Sequence, residues 1–405
     1  MARVTDAPTP AAVRRARGAV AAFFFTNGLL LSNLLPRLPE IKAALELDNT
    51  QFGIAVAAFP AGAFLAGLAS PSLIRRFGSG PVAVVGTVVS SLGVISAAVA
   101  PAYLPLILAL LVAGGADAIT DVAQNAHGLR VQRHMKRSII NSFHAVWSVG
   151  AVTGGLMSAG AIALRIPLPI HLGASGGLAI VVACVALRFA LPGHDEEPVQ
   201  SGEAATDARR RVAVPRRTWI MLAALVLIAV AGALVEDAGN SWATLYLSDS
   251  LEAPHEIAAM GYIAMVAVQT VARFVGDAMV DRMGQRAVLW LGGAVVTIGM
   301  GAALAFPTVP GTILGFAAAG FGCAAAIPLA MQEADDLPGL RAGMGLTIVT
   351  WLLRVGMLAS PPIVGAIADA TELRVGLLVA PISGLVIVAF AGLAMQPRRR
   401  PAESA

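Results

Sequence analysis

Charge is what this chain has least of. Asp, Glu, Lys and Arg together make up 13% of its 405 residues, about half the share of a soluble globular protein, and that deficit argues against a soluble enzyme or binding domain. Cysteine is nearly absent. Cys184 and Cys323 both fall inside apolar runs, so a disulfide framework or thiolate metal site has nothing to be built from, and no metal site is expected. The sequence contains no HExxH, no CxxC and no phosphate-binding GxxxxGK[ST], which leaves metal hydrolysis and ATP use without a motif. We expect no enzyme activity and no cofactor. The formal charge of +4 comes from arginines in short breaks between apolar runs, a pattern that orients a membrane protein and does not signal nucleic acid.

What is present is apolar length. Hydrophobic residues make up 57% of the chain, in runs that match the about 20 residues needed to cross a ~30 Å hydrocarbon core. Twelve spans are expected, at roughly 18–38, 50–74, 81–100, 103–127, 139–163, 171–190, 218–247, 256–280, 286–306, 310–332, 342–368 and 375–396. The chain thus reads as an all-α polytopic membrane protein, with the lipid bilayer as its partner. The basic N-terminus precedes "AVAAFFFTNGLLLSNLLP", a run too long for a signal peptide and without a small-residue cleavage site, so it reads as span one. An even number of spans puts both termini on one side. Arg14, Arg15, Arg17, Arg75, Arg76, Arg130, Arg133, Lys136, Arg137, Arg188, Arg282, Arg286, Arg341, Arg398 to Arg400 and the run from Arg209 to Arg217 share that side, against Arg37, Lys42, Arg165 and Arg374 opposite. Both termini are therefore expected in the cytoplasm, with the protein in the plasma (inner) membrane, as a monomer.

The longest polar segment, "PGHDEEPVQSGEAATDARRRVAVPRR", separates six spans from six. It divides the chain into an N-terminal six-helix bundle (1–191), a cytoplasmic linker (192–217) and a C-terminal six-helix bundle (218–405). The halves echo one another: "LIRRFGSGPVAVVG" after span two resembles "MVDRMGQRAVLWLG" after span eight, and Arg137 and Trp147 in span five pair with Arg341 and Trp351 in span eleven. Parallel six-span repeats characterise a large class of transporters that hold substrate near the midplane.

On these residues the chain resembles the major facilitator superfamily over nearly its whole length. The superfamily's cytoplasmic Gly-x-x-x-Asp-Arg-x-Gly-Arg is approximated by "GDAMVDRMGQR", in which Asp281, Arg282 and Gly284 match and Gln285 replaces a basic residue. The copy at Arg75, Arg76 and Gly78 is poorer, because Arg75 stands where the Asp belongs. The phrases "RLPEIK", "TDVAQN", "FHAVWSVG" and "EDAGNSWATLYL" are similar to the YbjJ-like branch. The resemblance implies two pseudo-symmetric six-helix bundles and a gating role for the helix ends around Arg75, Arg76, Gly78, Asp281, Arg282 and Gly284. The basic residue and Gly-Pro motif of drug–proton antiporters are absent, with Leu110 at the basic position and "GAVTGG" lacking a proline.

An ionisable group within a span costs ~2.5–3.5 kcal/mol on insertion scales, so each one needs a reason. In span four a step of ~100° per residue puts Gly114, Asp117, Asp121, Gln124, Asn125 and Gly128 on one stripe, as a cavity-lining helix requires. Asp117 lies deepest, which suits reversible protonation. The short loop after span four makes spans four and five antiparallel neighbours, placing His144 at the depth of Asp121, for either a proton relay or a fixed interhelical tie. In span seven Glu236, Asn240 and Ala243 share a face, and Glu236 is the pseudo-symmetric counterpart of Asn27 in span one. Asp237, turned away by ~100°, is expected to meet only the outer interface. The proton-coupling candidates are accordingly Asp117, Glu236, Asp121 and His144. The substrate-cavity candidates are Asn27, Asn125, Trp147, Asn240, Trp242, Trp351 and Arg354, the last needing an acid from another helix, with Glu236 and Asp117 considered first. Arg273 and Asp277, one turn apart in span eight, are expected to pair near the gate.

These features point to a secondary transporter of a small solute, proton-coupled and working by alternating access. The alternative is a uniporter or a non-transporting membrane sensor. Reporter fusions test the topology directly: a fluorescent protein fused after Ala405 should fold and fluoresce, whereas a periplasmic alkaline phosphatase fused there should be inactive.

Overall fold

The computed structural model describes residues 9–136, 139–193, 215–340 and 343–394. Arg137, Arg341, Arg398 to Arg400 and nearly all of the expected linker lie outside the described residues. Among the described residues twelve helices are long and apolar enough to cross a membrane. They are α1 (Pro10–Ala44), α2 (Asn49–Gly67), α3 (Ser79–Ala98), α4 (Tyr103–Met135), α5 (Ile140–Ala163), α6 (Leu168–Leu187), α7 (Arg216–Ser250), α8 (His255–Met283), α9 (Gln285–Ala305), α10 (Val309–Asp335), α11 (Met344–Ala370) and α12 (Leu373–Ala394). The chain divides into two compact units, Met1–Glu197 and Pro198–Ala405.

Helix ends follow local chemistry. Thr9 caps α1 ahead of Pro10, accepting from the Ala12 amide at 3.3 Å; the helix therefore starts well before the apolar run does. A capping box starts α2, with the Gln51 amide donating to Asp48 Oδ1 (2.7 Å) and the Asp48 amide to Gln51 Oε1 (3.2 Å). Helix α4 continues past residue 127 to Met135, and near its end Arg130 finds carbonyl partners. Arg130 Nη1 donates to the Gly193 carbonyl at 3.0 Å, just beyond α6.

The same pairing scheme builds both units. In the first, α4 packs along α2 and α3, α1 along α5 and α6, and α3 along α6; in the second, α10 packs along α8 and α9, α7 along α11 and α12, and α9 along α12. Spans four and five, expected as close neighbours from their short loop, meet only slightly. Helix seams decide this where the loop does not. Gly62 of α2 lies against the Leu111 carbonyl and Gly114 of α4 against the Phe59 carbonyl, so no Cβ fits at either. Gly28 of α1 and Gly150 of α5 do the same against the Trp147 and Phe25 carbonyls. Backbones this close gain dispersion contacts that lipid cannot replace.

Two further glycines repeat in conformation. Gly78 (φ 81°, ψ 152°) and Gly284 (φ 82°, ψ 155°) each close a helix and open the next. That positive-φ region is open to glycine and strained for other residues, so the two copies of the helix-end motif share a backbone although Arg75 replaces the acid in one. Helix α7 breaks its α-helical pitch twice, with π-helical turns at Ala238–Trp242 and Tyr246–Ser250.

Gly62→Ala and Gly150→Ala should each destabilise the protein by ~1–3 kcal/mol through overpacking. Gly160→Ala, where a Cβ would meet nothing within 4 Å, should be silent; melting temperatures in detergent make the comparison.

Candidate functional site

The first unit gathers its polar residues around one amide. Asn27 sits midway along α1 and is buried, with 7% exposure. Its Nδ2 donates to Asp117 Oδ1 on α4 at 2.6 Å. Its Oδ1 accepts from Trp147 Nε1 on α5 at 2.8 Å and from Gln124 Nε2 on α4 at 3.4 Å. Gln124 Nε2 also reaches Asp121 Oδ1 at 3.2 Å, and Asn125 Nδ2 donates to the same oxygen at 3.1 Å. Three helices thus meet through Asn27, and the span-four stripe supplies most of the partners. No Lys, Arg or His among the described residues bonds to Asp117. Its partner is a neutral amide. A carboxyl held this way can keep the contact with or without its proton, because both amide and carboxyl offer donors and acceptors.

The other polar members of the segment "GGADAITDVAQNAHGLR" have structural duties. His127, fully buried, shares a 2.7 Å hydrogen bond with Ser79 Oγ and accepts from the Leu191 amide at 3.1 Å. Thr120 Oγ1 donates to the Ala116 carbonyl at 2.9 Å. His144 lies on α5 with its ring edge-on to Phe24 of α1, 5.2 Å between centroids. With α5 following α1 and not α4, the sequence-adjacency argument for pairing His144 with Asp121 loses its basis.

"RLPEIK" also acquires a structural use. Arg37, 3% exposed, donates to both Glu40 carboxylate oxygens at 2.7 Å and to the Ile166 carbonyl at 3.0 and 3.1 Å. His171 Nδ1 lies 3.4 Å from Arg37, and its Nε2 is 2.9 Å from Asn33 Oδ1. This chain ties α1 to α6 and to the loop before it. The Gly-x-Ser-x-Gly pattern formed by Gly173 to Gly177 is no nucleophile elbow, because it lies within α6 and Ser175 Oγ donates to the Leu172 carbonyl.

The second unit revises several expectations. Arg273 does not pair with Asp277. Its Nη2 lies 3.6 Å from Glu236 Oε2 across the α7–α8 seam, while Asp277 is exposed. Glu236, thus engaged, is not the partner of Arg354, which stands exposed on α11. Asp237, expected only at an outer interface, accepts from Ser241 Oγ (2.8 Å) and from Ser360 Oγ of α11 (2.6 Å). The π-helical turn after Asp237 overturns the 100° arithmetic that grouped Glu236 with Asn240 and Ala243. It also turns Trp242 fully into the core, with 0% exposure, so this side chain lines no cavity. Asn240 is half-buried and Trp351 exposed.

The chain matches the Major Facilitator Superfamily over residues 20–268 and 237–405. The chain belongs to this superfamily. It is 26% identical over 369 residues to "Membrane protein MosC" of Rhizobium meliloti, covering 91% of this chain and 88% of that protein. Among solved structures it superposes on the nucleoside transporter NupG with a TM-score of 0.71 at 13% identity, covering 94% of this chain and 100% of that one. It superposes on a D-xylose–proton symporter with a TM-score of 0.67 at 14% identity, covering 94% and 96%. These likenesses establish the all-helical major facilitator fold and a multi-pass membrane transporter. The superfamily's cytoplasmic motif maps onto exposed side chains at helix ends. Asp281 and Arg282 are exposed beside Gly284, and Arg75, also exposed, donates to Ser72 Oγ at 3.2 Å.

Asn27→Leu should cost ~1–3 kcal/mol, because it strips Trp147 Nε1 of its acceptor and Asp117 of its donor. Asn125→Ala, whose amide is only half-buried, should cost less than ~1 kcal/mol. Thermal unfolding of the two variants side by side measures the difference.

Proposed function

We propose that this transporter is proton-coupled and moves a neutral or cationic small solute across the plasma membrane by alternating access of residues 1–191 and 218–405 about a cytoplasmic linker, 192–217, with both termini cytoplasmic. The observation that carries the reading is the 2.6 Å bond from Asn27 Nδ2 to Asp117 Oδ1. It holds a carboxyl deep in a membrane helix on a neutral amide, where it can carry a proton. Charging such a group in the bilayer is costly, so its proton load sets the cost of closing a cavity around it. Acids in the spans (Asp117, Asp121, Glu236, Asp237 and Asp277) outnumber the bases Arg273 and Arg354, which favours a neutral or cationic solute over an organic anion. The likeness to a D-xylose–proton symporter supports the same coupling. Within the superfamily we place the chain in the YbjJ-like branch on "RLPEIK", "TDVAQN", "FHAVWSVG" and "EDAGNSWATLYL". Asp121 and Asn125 extend the site towards the cytoplasm, Trp147 fixes its wall, and the ends around Arg75, Arg76, Gly78, Asp281, Arg282 and Gly284 form the gate.

A thermal-shift screen of metabolites on the purified protein supplies the solute for the test. In proteoliposomes, Asp117→Asn should reduce uptake driven by a pH gradient to background while solute exchange persists. Gradient-driven uptake at the wild-type rate in that variant removes Asp117 from the mechanism, and wild-type uptake indifferent to the gradient removes proton coupling altogether.

A further inference from the structure

Two adjacent acids on α7 sit in opposite surroundings. Glu236 faces a cation, with Arg273 Nη2 at 3.6 Å. Asp237 faces hydroxyls, one to each carboxylate oxygen: Ser241 Oγ to Oδ1 at 2.8 Å from the following turn, and Ser360 Oγ to Oδ2 at 2.6 Å from α11. An ion pair holds a carboxylate in its charged form. Hydroxyls serve either form, since each can donate to a carboxylate or accept from a carboxyl, with the stronger bond to the charged form. The turn that carries Ser241 is π-helical, Ala238–Trp242, an irregularity frequent at functional sites.

The other charged groups on the helices packed around α7 leave Asp237 to these hydroxyls. On α8, Arg273 is engaged by Glu236 and Asp277 is exposed. On α11, Arg354 lies about two turns before Ser360 and Asp369 more than two turns after it. On α12, Arg374 sits in the first turn and reaches the Ala305 carbonyl at 3.3 Å. On α10, Glu333 and Asp335 occupy the last turn, and Cys323 is a buried thiol donating to the Gly320 carbonyl.

We propose that Asp237, and not its neighbour Glu236, is the proton-carrying carboxyl of the second unit. A hydronium ion gives its proton to Asp237 Oδ2 and leaves as water, and Ser360 Oγ turns from donor to acceptor. The bond between α7 and α11 changes from charge-assisted to neutral and becomes roughly half as strong. Proton loading thereby loosens one of the side-chain links between these helices, and proton release tightens it. The inference rests on the proton-coupled reading for its role in transport, but the protonation itself is measurable without any solute.

The test is infrared difference spectroscopy of the full-length protein in lipid nanodiscs, titrated with acid, in an Asp117→Asn background that silences the first unit's candidate. A protonated-carboxyl C=O band should grow on acidification, disappear with Asp237→Asn and persist with Glu236→Gln. Ser360→Ala, which keeps the carboxyl and removes one partner, should shift the band's frequency. A full band in Asp237→Asn, its loss in Glu236→Gln, or an unmoved frequency in Ser360→Ala overturns the assignment. An intact Asp237 band in a protein that takes up no protons with solute supports the site and refutes the coupled transport reading, so the two failures are distinguishable.

Discussion

Hydrocarbon offers no hydrogen bonds, so each polar group inside the bilayer must find its partner on another part of the protein. The first unit meets that constraint through Asn27. Its amide gives a donor to Asp117 and takes donors from Trp147 and Gln124, and in doing so it joins α1, α4 and α5. The glycine seams make the join possible. Gly28 and Gly150 let α1 and α5 approach to backbone contact, which brings Trp147 Nε1 within 2.8 Å of Asn27 Oδ1. Packing and polar satisfaction are one arrangement, since the indole that closes the seam also fills the amide's acceptor.

The second unit uses the same scheme of helix pairs and solves the polar problem differently. Where α1 places a neutral amide, α7 places two consecutive acids, and the fold separates them by partner. Glu236 goes to a guanidinium and Asp237 to two hydroxyls. The asymmetry between the halves is the functional information. Features shared by both units, such as the positive-φ glycines Gly78 and Gly284, answer needs common to any such bundle, namely helix ends that must turn sharply at a membrane face. Features of one half alone, such as Asp117 and Asp121 on α4, have no such common cause.

Much of the fold was legible in the residues because length and composition suffice for it. Twelve runs of membrane-crossing length and two copies of a helix-end motif needed no tertiary contact to be read. The span-four stripe was legible for a related reason: α4 keeps regular α-helical pitch, so an angular step per residue places Asp117 and Gln124 correctly. The same arithmetic failed on α7, where π-helical turns at Ala238–Trp242 and Tyr246–Ser250 shift every later side chain. Trp242 went from an expected cavity wall to the core. Asp237, just before the first of these turns, went from a bystander to a bridge because Ser360 meets it from another helix, which an angular step along one helix cannot show. Arg273 was paired with Asp277 by spacing alone, but spacing on one helix cannot show an acid arriving from another.

The sequence by itself determined that this is a polytopic helical membrane protein of the major facilitator type, with acids inside its spans that hydrophobic length alone does not require. Local composition controls those properties, since hydrophobic length decides what crosses a bilayer. Tertiary structure alone decided the partners: α5 beside α1 instead of α4, Asn27 as the hub, Glu236 on Arg273 and Asp237 on Ser360. Those choices depend on which backbones can approach closely, and that is set by small residues meeting across seams far apart in the chain.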